Sequence, residues 1–332
     1  SNMTLEKALA SSKEFAQKYQ TDEKIKELID MSLKVEGMPR HASTHAAGVV
    51  ITDKPVMSYV TLAKNDESIV TQFPMTTIEE LGLLKMDFLG LRNLSVIDNA
   101  AHMIREREPD FSENDIPEDD PSVYEMISSG MTDGVFQFES AGMRRLLIQA
   151  QPRRLEDLIA IISLYRPGPM QFIPSYVENR QYPEKIKYRH ERLKPILDVT
   201  YGCIIYQEQV MRIFRELAGY SLGRADIVRR AMSKKKHDVL EKEKKVFIDG
   251  LVDEEGNVLI DGCIRRGVDE KTALALFKEI ENFASYAFNK SHAAAYAAVA
   301  YTTAYMKYYY PCEYMAALLT SILDSSTKVS AY

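Results

Sequence analysis

The chain has 332 residues, 45% hydrophobic and 27% charged, with a net charge of −6, which is ordinary globular material long enough for a sizeable core and two or more lobes. The acidic balance argues against a chain coated in basic residues for duplex binding, and the three cysteines, Cys203, Cys263 and Cys312, lie too far apart for any metal-ligand spacing. A reducing cytoplasm is the simplest account of those thiols, and no signal peptide is expected.

Ser1-Asn2 reads as a scar of tag removal and carries no fold information. A first helix is expected over Leu5 to Tyr19. Thr21 is the expected cap of a second, whose apolar positions Ile25, Leu28, Ile29 and Leu33 share one face and which Gly37 and Pro39 end. From Ala46 the pattern turns strand-like: Ala47 to Ile51, Tyr59 to Leu62, Ile69 to Phe73 and Leu84 to Phe88, with turns at Asp53-Lys54-Pro55 and Asn65-Asp66. This is the one convincing β region.

In its last strand Leu84, Met86 and Phe88 alternate with Lys85 and Asp87, so the period of two puts both charges on one face. Asp87 could hold a divalent metal and Lys85 could meet a phosphate, the equipment of nucleotidyl transfer; the alternative is the solvated face of a half-buried strand. His41 and His45 stand four apart, a zinc spacing on a helix, but Pro39 and Gly48 crowd the segment and favour a structural role.

The remainder is mostly helical: 91 to 107, then an acidic, Pro-punctuated loop over 109 to 121, then 121 to 129, 140 to 150, 154 to 164, 206 to 218, 223 to 248, 269 to 281 and 291 to 322. Glu254 to Asn257 is a turn, the tip of a small hairpin. Ala293 to Met306 is uncharged for 14 residues, short of the roughly 20 a membrane span needs, so it is expected to be a buried helix.

Charge is unevenly spread. Arg224 to Lys245 holds nine Lys or Arg against four acids, and Asp110 to Asp120 holds six acids and no base. Arg229 and Arg230, followed by Lys234 and Lys235, form a helical surface on which Arg230 and Lys234 could converge on one anion; a solvated basic face, or a partner for the acidic loop, is the competing account. Asn289-Lys290-Ser291-His292 with Tyr296 is a second constellation. His292 and Tyr296, four apart, present an imidazole and a ring to the same place, where a base could stack, while the later tyrosines 301 to 310 read as packing. Arg166, in Tyr165-Arg166-Pro167-Gly168-Pro169, either reaches a phosphate or caps the helix before it. Gln207 and Glu208 are functional or merely satisfy polar groups inside the fold.

The order of these words, from Arg40-His41-Ala42-Ser43-Thr44-His45 through Lys85-Met86-Asp87, Gly134-Val135-Phe136-Gln137-Phe138-Glu139-Ser140, Tyr165-Arg166-Pro167-Gly168-Pro169, Tyr206-Gln207-Glu208-Gln209-Val210-Met211, Arg229-Arg230-Ala231-Met232 and Phe288-Asn289-Lys290-Ser291-His292, resembles the alpha subunit of bacterial DNA polymerase III. The resemblance runs from about Pro39 to about Thr320. It implies a predominantly helical α+β fold: a thumb remnant over 1–37, part of a nucleotidyltransferase-like palm over 38–90, and helical fingers over 91–332. It also implies a cytoplasmic DNA-directed DNA polymerase that joins deoxynucleotides to a primer 3′-hydroxyl by a two-metal mechanism.

In that resemblance Lys85 and Asp87 are catalytic, with Asp87 a magnesium ligand. Arg229, Arg230, Lys234, Lys235, Asn289, His292 and Tyr296 bind the nucleotide, and Arg166 and Lys290 contact DNA or phosphate. The expected partners are primer-template DNA, deoxynucleoside triphosphates and replisome subunits such as the sliding clamp, the last through parts not in this chain; no membrane is expected. The family's Asp-x-Asp motif is missing, since no two aspartates here are separated by a single residue. The chain is therefore expected to be an inactive piece of the enzyme. The rivals are a non-catalytic helical scaffold that binds nucleic acid or protein through the basic helix, and a metal-dependent hydrolase using His41, His45 and Asp87.

Overall fold

The computed structural model describes residues 3–38, 43–65, 68–233, 237–284, 286–330 and 332, and the chain divides into two compact units, Ser1–Gly90 and Leu91–Tyr332. Together they make a predominantly helical α+β protein in which the strands form only small antiparallel pairs.

The first unit opens with three helices, α1 (Leu5–Ser11), α2 (Lys13–Thr21) and α3 (Glu23–Val35). Two were expected, and side-chain caps explain the difference. The Ser12 hydroxyl accepts from Phe15 N and starts a new helix in the middle of the expected first one. Asp22 rather than Thr21 caps α3, its Oδ1 accepting from Lys24 N and Ile25 N, while Thr21 closes α2 by donating to the Gln17 carbonyl.

Then come β1 (Gly48–Ile51), β2 (Leu62–Asn65), β3 (Ser68–Thr71), the short α4 (Met75–Glu80) and β4 (Leu84–Asp87). The pairs are β1 with β4 and β2 with β3, so the β region is two ribbons rather than one sheet. In the first ribbon Val50 faces Lys85 and Gly48 faces Asp87, while Val49 faces Met86 and Ile51 faces Leu84. The charged and apolar residues of β4 do lie on opposite faces. Their exposure inverts the expectation, because Leu84, Met86 and Phe88 are exposed while the Lys85 side chain is only 13% exposed.

The second unit holds α5 (Arg92–Arg105), α6 (Pro121–Ser129), α7 (Ala141–Ala150), α8 (Leu155–Leu164), α9 (Ile173–Gln181), α10 (Lys194–Leu197), α11 (Gln207–Ala218), α12 (Leu222–Ser233) and α13 (His237–Asp249). A hairpin of β5 (Leu251–Val252) and β6 (Val258–Ile260) follows, then α14 (Gly262–Arg265), α15 (Glu270–Ala284), α16 (Lys290–Tyr309), α17 (Pro311–Thr320) and α18 (Ser326–Val329).

Local chemistry sets these boundaries. Asp120 caps α6 by accepting from Ser122 N and Val123 N, Pro121 fills the first helical position, and Gly130 at φ +80° ends it. Pro311 cannot donate to the preceding turn, so the single helix expected over 291 to 322 is two.

Helix α8 is buried along almost its whole length and packs on α16, where Ala293, Ala297, Ala300 and Ala304 present small side chains at helical spacing and let the two axes approach. A second core gathers α11 to α15 around Phe214, Phe247 and Phe277, and a third seats α5 against α17. The later tyrosines of α16 pin the acidic loop: Tyr301 Oη accepts from Asp120 N, Tyr309 Oη donates to Asp120 Oδ2 and Tyr310 Oη donates to Glu108. Among the described residues no helix is long and apolar enough to cross a membrane.

The junction of α13 and α14 is held by two glycines in close approach. Gly262 sits at φ +75°, and a Cβ there would fall on the Gly250 backbone nitrogen; Gly250 at φ +89° faces the Ile260 and Asp261 carbonyls in the same way. Gly262→Ala is therefore expected to cost about 3 kcal/mol, combining left-handed strain with overpacking against backbone that cannot rotate aside. Gly256→Ala, also at positive φ but in open space, is expected to cost only the strain, about 1 kcal/mol. Urea unfolding of the two variants measures the difference, and equal losses would remove the packing argument.

Candidate functional site

In the first unit the Lys85 ammonium donates to both oxygens of Asp87, at 2.6 Å and 2.9 Å. The pairing follows from the strand, which puts side chains two apart on one face. This hydrogen bond is the largest cause holding the Asp87 carboxyl below the usual carboxylate range; burial opposes it, and the Lys85 charge adds a lesser lowering.

His45 Nδ1 accepts from the backbone N–H of Gly48 at 2.7 Å and of Ala47 at 3.2 Å. Its lone pair is thus turned to the turn that starts β1, and its 3.9 Å approach to Asp87 through that same nitrogen is not a proton-donating ion pair. The structural role expected of His45 fits this geometry, while His41 lies outside the described residues. No group of three or more His, Cys, Asp or Glu able to hold a metal occurs among the described residues. Asp87 offers one carboxylate whose two oxygens already face an ammonium, so the residues described here do not by themselves fit a pair of magnesium ions.

In the second unit, stretches far apart in sequence meet at the start of α16. The Asn289 carboxamide caps this helix by accepting from His292 N at 3.0 Å, and both Glu208 oxygens accept from Lys290 N at 3.2 Å. The start of α11 is thereby tied to the start of α16, an attachment continued where Gln207 N donates to the Phe288 carbonyl and Gln207 Nε2 to the Ala287 carbonyl. Glu208 and Gln207 thus act as structural ties between the two helix starts.

Arg166 does what neither expectation alone describes. Its Nε donates to the Ser163 carbonyl, capping the preceding helix, and its Nη2 donates to the Tyr286 carbonyl at 2.8 Å. The guanidinium lies 4.1 Å from the centre of the Phe288 ring, has no carboxylate partner among the described residues, and is pushed to a lower pKa by burial. From Phe288 a row of rings runs along α16: Phe288 to His292 at 5.4 Å, His292 to Tyr296 at 4.4 Å, and Tyr296 to Phe136 at 5.2 Å. His292 is exposed and the other rings are half-buried, so one edge of the row meets solvent. Phe136 and Phe288 were not singled out from the sequence, although both stand inside the quoted words.

The basic helix is less open than its composition. Arg229 donates to Asp226 Oδ1 through Nε and Nη2, at 2.9 Å and 2.7 Å, and Arg230 pairs with Asp226 Oδ2 at 2.8 Å. The hydrogen bond from Arg229 is the main reason the Asp226 carboxyl is lowered. Arg224 pairs with Glu243 of α13, so among the described residues Arg224 and Arg230 meet acids of their own region. Lys234 and Lys235 lie outside the described residues.

Residues 93–255 match the model of the bacterial DNA polymerase III alpha subunit finger domain, and residues 1–90 match that of the bacterial DNA polymerase III alpha NTPase domain. Among curated relatives, the DNA polymerase III subunit alpha of Borreliella burgdorferi is 47% identical over 309 residues, covering 92% of this chain and 26% of the relative. The subunit from Thermus aquaticus is 45% identical over 99% of this chain and 26% of its own length, and that from Escherichia coli (strain K12) is 42% identical over 98% and 28%. The chain belongs to the bacterial DNA polymerase III alpha subunit family. It spans about a quarter of the length of these relatives.

Proposed function

We propose that this chain is part of a DNA-directed DNA polymerase that extends a primer 3′-hydroxyl with deoxynucleotides. In this reading residues 1–37 are the end of a thumb, 38–90 part of a palm and 91–332 the fingers. Asp87 and Lys85 belong to the reacting centre. Asn289, His292 and Tyr296, with Arg229 and Arg230, receive the nucleotide, and Arg166 and Lys290 face phosphate or DNA. Magnesium, if held as one of several ligands by Asp87, would supply charge at the transferring phosphate. Because the described residues do not form a complete site for it, the 332-residue chain alone is expected not to extend a primer.

The observation that carries the reading is the convergence of Arg166, Phe288, His292, Tyr296 and Phe136, drawn from three remote stretches, into one continuous cationic and aromatic edge. A guanidinium beside stacked rings suits a phosphate with an attached base.

The test is steady-state incorporation by an intact alpha subunit carrying these residues. Tyr296→Ala is expected to raise the nucleotide KM about tenfold or more, the loss of ~1–3 kcal/mol of base stacking, with a smaller change in kcat. An unchanged KM in a folded variant would reject the ring row as the nucleotide's seat.

A further inference from the structure

A second charged surface lies in the stretch that follows α9. From Tyr182 to Lys194 five Lys or Arg, namely Lys185, Lys187, Arg189, Arg192 and Lys194, stand with two acids, Glu184 and Glu191, in a chain whose net charge is −6. All five are exposed. Arg189 pairs with Glu279 at 2.7 Å and Lys185 lies 3.8 Å from the Tyr182 ring centre, but Lys187, Arg192 and Lys194 have no ion pair among the described residues. Concentrating unpaired cations on an acidic protein raises its self-energy locally unless a polyanion relieves it.

The shape of the surface narrows the choice of polyanion. Tyr188 stands between two hollows. One, of about 730 Å³, has walls that include Arg154, Lys194, Tyr188 and Tyr201 along with the acids Glu184 and Asp198; the other, of about 360 Å³, includes Lys187, Tyr188 and Arg189, the last paired with its one acid, Glu279. The segment is also firmly seated. Tyr188 Oη donates to Asp198 at 3.1 Å, the Arg154 guanidinium stacks 5.3 Å from the Tyr201 ring centre, and α9, from which the segment leaves, is anchored through Arg180 to the buried Asp157. Cations alternating with rings across a groove fit a flexible strand that offers a phosphate and a stackable face at each repeat, whereas an acidic protein would gain nothing from the tyrosines.

We propose that the Tyr182–Lys194 segment, with Arg154 and Tyr201, is a seat for single-stranded nucleic acid, separate from the Arg166–Tyr296 edge. It takes the backbone without reading sequence, Lys187, Arg192 and Lys194 each meeting a phosphate.

The experiment is fluorescence anisotropy of this chain with a labelled oligothymidylate across a salt series, with circular dichroism to confirm folding. For single strands each neutralised phosphate contributes about 0.7 to the log–log salt slope. The triple variant Lys187→Ala/Arg192→Ala/Lys194→Ala is therefore expected to flatten the slope by about 2 and to weaken binding at least about tenfold at low salt. The charge-keeping variant Lys187→Arg/Lys194→Arg is expected to retain the slope. Removing Lys13, Lys24 and Lys26, exposed lysines of the first unit, makes the same change in net charge and is expected to leave the slope in place.

An unchanged slope in the triple variant overturns the proposal, and so does an equal flattening in the control, which would reduce the effect to net charge. Tyr296→Ala is a separate readout: a raised nucleotide KM together with an unaltered salt slope in the triple variant would leave the polymerase reading standing and this seat rejected.

Discussion

Asp157→Asn is expected to lower the stability of the second unit by about 3 kcal/mol, a fall in Tm of roughly 6–12 °C for a body of this size. Asp157 is only 1% exposed, yet it is charged and fully engaged. Its Oδ2 accepts from Arg153 N and Arg180 Nη2, each at 3.0 Å, and its Oδ1 accepts from Tyr201 Oη at 2.9 Å and Arg154 Nε at 3.2 Å. One carboxylate thus ties the start of α8 to α9 and to the segment before α11. An asparagine fills the same volume but removes the charge, leaving the Arg180 side chain, itself 9% exposed, as an uncompensated buried cation.

The pH dependence has a definite sign. Burial pushes the Asp157 carboxyl up, but the Arg153 N–H and the charge and hydrogen bond of Arg180 outweigh it, so its folded pKa lies below the ordinary value. The stabilisation is present above the unfolded pKa of about 3.9 and is lost as pH falls through the lower folded value. Wild type and Asp157→Asn should therefore differ most near neutrality and converge in acid. Adding Arg180→Gln to Asp157→Asn should recover part of the loss, since it removes the stranded charge. A variant with wild-type Tm, or a gap that widens in acid, would refute this account.

What sequence could and could not reveal follows from where each interaction lives. Helix α6 was legible because Asp120, Pro121 and Gly130 act within one or two turns of themselves. The alternation of β4 correctly sorted Lys85 and Asp87 onto one face, but which face is covered depends on neighbours in space, and here the apolar face is the exposed one. Asp157 is one of two acids in the first turn of α8, and nothing local sets it apart from Glu156; its burial depends on Arg180 and Tyr201, 23 and 44 residues away. The Asn289 to Tyr296 constellation was visible through helical spacing, whereas Phe136 joins it only by tertiary packing. Composition also overstated the freedom of Arg229 and Arg230, because an i,i+3 and i,i+4 pairing to Asp226 is a contact that residue counts ignore.

In an intact alpha subunit, Asp87→Asn is expected to reduce primer extension by about a thousandfold, equivalent to ~4 kcal/mol at 1.36 kcal/mol per decade. The same change should hardly move stability. Asp87 is 40% exposed and its ion pair to Lys85 is screened by solvent, so as a strand residue it contributes little to folding. That mismatch makes the variant decisive: a structural Asp87 predicts small effects on both rate and stability, whereas a carboxylate working at the reacting phosphate predicts a large one on rate alone. Lys85→Ala should follow the same pattern. It removes the hydrogen bond that chiefly holds the Asp87 carboxyl low, so the acid limb of the pH–rate profile should shift to higher pH, which loss of a mere packing contact would not cause. Retained DNA binding with lost extension in Asp87→Asn would place the Lys85–Asp87 pair at the chemistry. Undiminished extension would make it the solvated face of a two-stranded ribbon and move the reacting centre elsewhere in the subunit.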